Sequence, residues 1–173
     1  PMSRGLGDVY KRQLDMEEHT EVELVKFSQK DKLRFSGQEL VPVIQDNSTI
    51  ISDSWRIAEY LENNYTNQPT LFSSPTNKAN EKFVSSWVDS QVHPLVAKCV
   101  VRDILDVVDP NDTEYFRRSR EERFGMSLEE IVANRGKTRT LLKRTLFPVR
   151  KVLELNPFLG GTSASFADYS VFG

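Results

Sequence analysis

A single cysteine, Cys99, and two histidines, His19 and His93, are all this chain has of the residues that most often hold metals. One cysteine forms neither an internal disulfide nor a cysteine-rich metal scaffold, and it suits a reducing compartment. Two histidines leave little for a zinc site or a His-based catalytic pair, so no metal is expected. No apolar run approaches the roughly 18–20 residues that span a bilayer, which excludes a transmembrane helix from this reading. Neither charge dominates: 23 Lys and Arg stand against 25 Asp and Glu, a net −2. Broad binding to a phosphate backbone needs clustered surplus cation, so no nucleic-acid partner is expected, and without a spanning run no membrane partner is expected either. What is present, 38% hydrophobic and 28% charged over 173 residues, is ordinary for a globular protein of one full domain or two small ones. A cytoplasmic location is expected.

The ends of the chain differ from the rest. Residues 1–13 (PMSRGLGDVYKRQ) are too weakly apolar for the central region of a signal peptide. They resemble a translated adapter sequence and are expected to be a non-native or disordered segment. At the other end, Ser165-Phe166-Ala167-Asp168 has the S-x-x-D form of a helix capping box, yet fewer than two helical turns follow it. Truncation at both ends is expected.

Between the ends, residues 22–27 (VELVKF) alternate apolar and charged positions, the pattern of a half-buried strand. Residues 29–35 read as a short helical or irregular connection. Residues 40–45 and 49–51 are two more strands, paired as a hairpin by the turn chemistry of Asp46-Asn47-Ser48. A helix follows over about 53–64, with Ile57, Ala58, Leu61 and Tyr65 as its inward stripe. Residues 66–76, holding Pro69 and Pro75, are the expected linker. Beyond it everything reads as helical. One stripe runs from Phe83/Val84 through Val88, Val92 and Cys99 to Ile104, with a kink or break expected at 90–94 because of Pro94. A second starts at a capping box, Ser127 to Glu130, and runs through Ile131, Leu142, Leu146 and Val149 past a kink at Pro148 to Asn156-Pro157. The basic run 117–123, interleaved with Glu121 and Glu122, is expected to be a solvated, ion-paired connector. His93 faces no obvious partner, Cys99 is expected in the core, and Trp55 and Trp87 as packing residues.

Two short constellations could carry chemistry. Proline cannot donate to a sheet ladder, so Val41-Pro42 marks an edge strand or a cis bond. Either geometry leaves the Val41 backbone open to an extended, peptide-like ligand, although an edge proline that only protects the sheet explains the pair as well. Ser52-Asp53-Ser54 opens the following helix. Its N-terminus attracts a carboxylate, Ser54 adds a hydroxyl and Asp53 could hold an ammonium group, together fitting the end of an α-amino acid. Plain capping by Ser52, with Asp53 complementing the dipole, is the alternative.

Taken in series, residues 40–44 (LVPVI) and 53–61 (DSWRIAEYL) resemble the N-terminal domain of glutathione transferases. The resemblance implies an incomplete thioredoxin-like α/β N-terminal domain over 14–65, followed by an incomplete all-α helical-bundle C-terminal domain over 77–173. It implies glutathione as co-substrate, with Val41 pairing with the cysteinyl backbone, Asp53 and Ser54 holding the γ-glutamyl end, and Pro42 as a structural cis-proline. Ser165 and Asp168 then match the family's C-terminal capping box, a folding device. Residues 115–125 (YFRRSREERFG), 156–161 (NPFLGG), 167–173 (ADYSVFG) and Ser36-Gly37-Gln38 are similar to the bacterial branch related to the β-aryl-ether-cleaving transferases. The implied reaction is attack of the glutathione thiolate on an electrophilic, aromatic substrate, with aryl-ether cleavage as its narrower form. A non-catalytic member that binds or regulates is the alternative. The residue that contacts the sulfur is expected upstream of residue 14, where Ser3 and Tyr10 have the wrong context, so residues 14–173 alone are expected to be inactive. The partners implied are a small-molecule electrophile and, in the intact protein, a second copy of the chain.

Overall fold

Asn47, at φ +52, turns the chain back after Asp46, and the two short strands it joins organise the first half of the fold. The computed structural model describes residues 23, 25–67, 70–72, 74 and 76–172. Residues 1–13, His19, Val22 and the prolines of the expected linker lie outside those described. Strand β1 (Val43–Asp46) pairs antiparallel with β2 (Thr49–Ser52), with Val43 opposite Ser52 and Asp46 opposite Thr49. The ladder starts at Val43, later than expected, because Pro42 has no N–H to give it.

The strand expected over 22–27 is absent from the described residues of that stretch. Among the described residues of that stretch none joins a ladder, and Phe27 instead opens a 3-10 helix, Phe27–Ser36. Its ring packs at 5.8 Å from Phe116 and 5.9 Å from Tyr115, an apolar contact that replaces sheet pairing.

Helix α1 (Ser54–Asn64) buries Ile57, Ala58 and Leu61 completely, as its periodicity requires. Its core also takes Ile51 from β2, Leu71 and Phe72 from the expected linker, and Phe166 from the far end of the chain. Trp55 packs there against Phe72 and edge-on against Phe166, at 5.0 and 5.1 Å.

The long helical stripe is broken as expected. Helix α2 (Lys78–Trp87) runs into a π-helical turn, Val88–Val92, and then α3 (His93–Leu105), with Pro94 just past the widened turn, at the place where its ring and missing N–H disrupt regular α-helical bonding. Upstream of the turn, Phe83 is 71% exposed, contrary to the stripe. The buried face of α2 carries Glu81 and Ser85, polar residues that a search for apolar periodicity passes over. His93 does have a partner: Asp89 Oδ1 lies 3.1 Å from Nδ1, one turn earlier. Cys99 is buried.

Helix α4 (Thr113–Phe124) and α5 (Leu128–Ala133) form a second core with α3, from Val101, Phe116, Leu128 and Ile131. The basic run is therefore helix rather than connector. Arg117 is ion-paired as expected, donating to both oxygens of Glu129 at 3.0 Å and to Glu121 at 2.9 Å, which draws the Glu129 carboxyl down to about 2. Arg120, by contrast, stacks on the rings of Phe27 and Phe116. The Ser127–Glu130 capping box is present at the start of α5. Helices α6 (Arg135–Thr145) and α7 (Phe147–Leu153) follow, divided near Pro148, and α8 (Phe166–Phe172) closes the chain.

The start of α8 is tied down from several directions. Asp168, the third residue of the helix, accepts from the N–H groups of Ser165 (3.0 Å), Leu159 (2.7 Å) and Gly160 (3.1 Å), and from the Ser165 hydroxyl (3.2 Å). Phe166 N–H donates to Leu71 O at 2.7 Å, and Ala167 N–H to Glu81 Oε2 at 2.9 Å. These satisfy helix N-terminal donors that would otherwise be buried unpaired.

Candidate functional site

The hairpin register decides what meets at its open end. Because Val43 lies opposite Ser52, the Val41-Pro42 pair enters β1 and the Asp53-Ser54 pair leaves β2 at the same end of the hairpin. The two constellations, eleven to twelve residues apart in the chain, thus lie at one end of the hairpin. The Val41-Pro42 peptide bond is cis, and Val41 is 51% exposed.

Asp53 is the N-cap of α1. Its Oδ1 accepts from Arg56 N–H at 3.0 Å and its carbonyl from Ile57 N–H at 2.9 Å. The capping role expected of Ser52 belongs to Asp53, one residue on. The cap uses Oδ1, and Oδ2 has no protein partner among the described residues. Asp53 also has φ +76 and ψ 126, a conformation that costs a residue with a Cβ about 1–3 kcal/mol. Ser54, half-buried, is the first residue of the helix, where the N–H groups and the positive end of the dipole gather. The exposed surface at the hairpin mouth thus offers a strand-like backbone at Val41, a carboxylate at Asp53 and a helix N-terminus at Ser54.

The closed end of the hairpin holds a network that the turn reading missed. Tyr60 and Tyr65, both on or just after α1, donate their hydroxyls to Asp46 Oδ2 at 2.8 and 2.7 Å, and Asn47 Nδ2 donates to Oδ1 at 3.0 Å. The bonds from Tyr65 and then Tyr60 hold the Asp46 carboxyl below its ordinary value, and the bond to Asp46 pushes Tyr65 up to about 12. The tyrosine signal was legible as i, i+5 spacing, but nothing in the sequence joins it to Asp46. The Tyr65 contribution to stability is full below about pH 10 and lost as pH rises through about 12, whereas that of Asp46 is lost as pH falls below about 4. Asp46→Asn is therefore expected to lower the melting temperature by a few degrees at pH 7 and to flatten the decline between pH 10 and 12, read by thermal melts at both ends. An unchanged alkaline limb would assign that decline to other groups.

Ser165 and Asp168 lie in the seam between α8, α2 and the 159–160 backbone, and their bonds are spent within the fold. Among the described residues no group of three or more His, Cys, Asp or Glu could hold a metal ion. The sulfur-contacting residue expected upstream of residue 14 lies outside the described residues.

The chain matches two family models. One, for the glutathione S-transferase C-terminal domain, covers residues 79–173, and the other, for the N-terminal domain, covers residues 10–69, so it begins inside the segment set aside at 1–13. Among curated proteins, glutathione S-transferase U3 of Arabidopsis thaliana is 37% identical over 62 residues, 36% of this chain and 28% of that protein. Glutathione S-transferase U2 of the same plant is 36% identical over 55 residues, 32% of this chain and 24% of that one. The chain thus spans about a quarter of the length of these curated relatives. Among solved structures, glutathione transferase GSTFuA3 of Phanerochaete chrysosporium aligns with a TM-score of 0.82 at 24% identity, covering 98% of this chain and 72% of that one. CsGST63524 of Ceriporiopsis subvermispora, solved in complex with glutathione, aligns with a TM-score of 0.79 at 21% identity, covering 93% and 73%. At these identities the likeness is one of fold: a thioredoxin-like α/β portion followed by a helical portion.

Proposed function

Because the chain belongs to the glutathione S-transferase family, we propose that it takes glutathione as co-substrate at the open mouth of the β1–β2 hairpin and works as a transferase. The observation that supports this reading is the hairpin register, which brings the Val41 and Asp53-Ser54 segments to the same end of the hairpin. Glutathione has a peptide backbone at its cysteinyl centre, which the exposed Val41 backbone can pair with as an added strand. Its γ-glutamyl end carries an ammonium and a carboxylate. The Oδ2 left over by the Asp53 cap suits the first, and the α1 N-terminus with Ser54 suits the second.

In this reading the glutathione thiolate attacks an electrophilic carbon on an aromatic substrate, forming a thioether and expelling a leaving group. The resemblance of residues 115–125 and 156–161 to the aryl-ether-cleaving branch favours an aryloxide as that leaving group. The group that stabilises the thiolate is assigned upstream of residue 14, so residues 14–173 alone are expected to be inactive. The protein is read as a cytoplasmic homodimer when intact.

The test is retention on immobilised glutathione by a version completed with the family's first strand and helix ahead of residue 14, followed by turnover assays with an activated aryl halide and a β-aryl ether. Retention with turnover of either supports the transferase. Retention without turnover supports the non-catalytic alternative, and no retention ends both readings.

A further inference from the structure

Helix α6 has no buried residue, although its Thr138 and Leu142 side lies along α3. Between Glu130 and Glu154 the chain has no carboxylate, and every charged side chain is a cation. Arg135 is paired with Asp103 at 2.8 Å and Lys151 with Glu154 at 2.7 Å. Lys137, Arg139, Lys143, Arg144 and Arg150 have no acidic partner among the described residues. At 3.6 residues per turn, Lys137, Thr140 and Arg144 fall opposite the α3 side of the helix, flanked by Lys143. Thr140, Lys143, Arg144 and Phe147 line one open concavity of about 490 Å³. Apolar side chains stand among these cations: Phe147 is 57% exposed, with the Lys151 ammonium 5.5 Å from its ring centre, and Leu141 is 49% exposed.

We propose that this face of α6 and the start of α7 is a docking surface for an anionic lipid bilayer. The assignment is independent of the transferase reading. A bilayer containing acidic phospholipid matches both halves of the surface, its phosphates meeting the unpaired cations and its upper acyl layer taking Phe147 and Leu141. The long Lys and Arg stems reach outward from the same surface, so charge and apolar area are satisfied together. An RNA strand would find a stacking ring only at Phe147, because Leu141 has no π face. An acidic peptide would neutralise the cations and leave both apolar residues in water. The helix lies on the membrane and does not enter it: among the described residues no helix is long and apolar enough to cross. The expectation of no membrane partner rested on the lack of a spanning apolar run, which is blind to a helix that lies on the surface of a bilayer.

Vesicle flotation of the 173-residue chain tests the surface, comparing neutral phosphatidylcholine vesicles with vesicles of about one-third phosphatidylserine, each at about 0.05 M and about 0.5 M salt. The chain is expected to float with the anionic vesicles at low salt, to be released at high salt and to ignore the neutral ones. Lys143→Glu with Arg144→Glu is expected to lower the bound fraction about tenfold or more, and Lys143→Gln with Arg144→Gln by a smaller factor. Both must melt with the wild type, the second serving if the first does not fold. Phe147→Ser should lower the fraction bound to the anionic vesicles at low salt. The assignment is overturned if the wild type fails to float, floats equally with both vesicles, or is displaced by a short RNA or by polyglutamate at stoichiometric amounts, or if the neutralised variant floats as the wild type does.

Discussion

Asp168→Ala is expected to destabilise the fold by about 3 kcal/mol, several times the cost of losing an ordinary helix cap. Removing an N-cap side chain frees one backbone donor. Here the carboxylate accepts four donors, from Ser165 twice and from Leu159 and Gly160 once each, and Asp168 is 6% exposed, so water cannot replace it. The donors left behind are buried, and an unpaired buried donor costs its desolvation. The backbone around them has no room to rearrange: a Cβ on Gly160 would lie 2.7 Å from Ser163 O and from Ser165 Cβ. The damage also spreads, because the same turn delivers Phe166 to the core shared with Ile57, Leu61 and Phe72 and lets Ala167 donate to Glu81. Ser165→Ala removes only the hydroxyl bond at 3.2 Å and should cost about 1 kcal/mol. Urea denaturation of the two variants beside the wild type measures the difference. Equal costs would show that the N–H bonds from Ser165, Leu159 and Gly160 contribute nothing.

The sequence revealed those parts of the fold whose cause is local. Asp46-Asn47-Ser48 turns because Asn tolerates φ > 0, the α1 stripe follows from 3.6-residue spacing, and Ser127 and Glu130 cap a helix within four residues. Where the cause lies far along the chain, local pattern misled. Residues 22–27 alternate like a strand, but alternation states a preference and a ladder needs a neighbour. Phe27 found Phe116, 89 positions on, instead. Phe83 looked like the first knob of the long stripe because the buried positions beside it, Glu81 and Ser85, are polar. Their reason is Ala167, whose N–H takes Glu81 Oε2 from 86 residues away. The site was legible as two fragments, Val41-Pro42 and Asp53-Ser54, each with a plain structural explanation. Only the hairpin register joins them, and even that shifted the cap from Ser52 to Asp53.

That shift sets the form of the second large effect. Asp53 now has two roles, a cap for α1 through Oδ1 and, in the proposed site, a partner for the glutathione ammonium through the remaining oxygen. Asp53→Ala confounds them, since it removes the cap, worth about 0.5–2 kcal/mol, together with the charge, and places a methyl side chain at φ +76. Asp53→Asn separates them. Its amide oxygen can still accept from Arg56 N–H, and Asn tolerates positive φ, so the melting temperature should stay close to the wild type. Affinity for glutathione should nevertheless fall about tenfold in the version completed ahead of residue 14. A charge-assisted bond is worth about 1.5–3 kcal/mol, and the exposure of Asp53 takes the lower end. Ser54→Ala should cost less than Asp53→Asn, because the backbone N–H groups and dipole of α1 still face the carboxylate after the hydroxyl is gone. Isothermal titration of the three variants beside the wild type gives the order. Should Asp53→Asn bind glutathione as tightly as the wild type while Asp53→Ala binds poorly and melts early, Asp53 is a cap alone, and the ammonium must find its partner elsewhere.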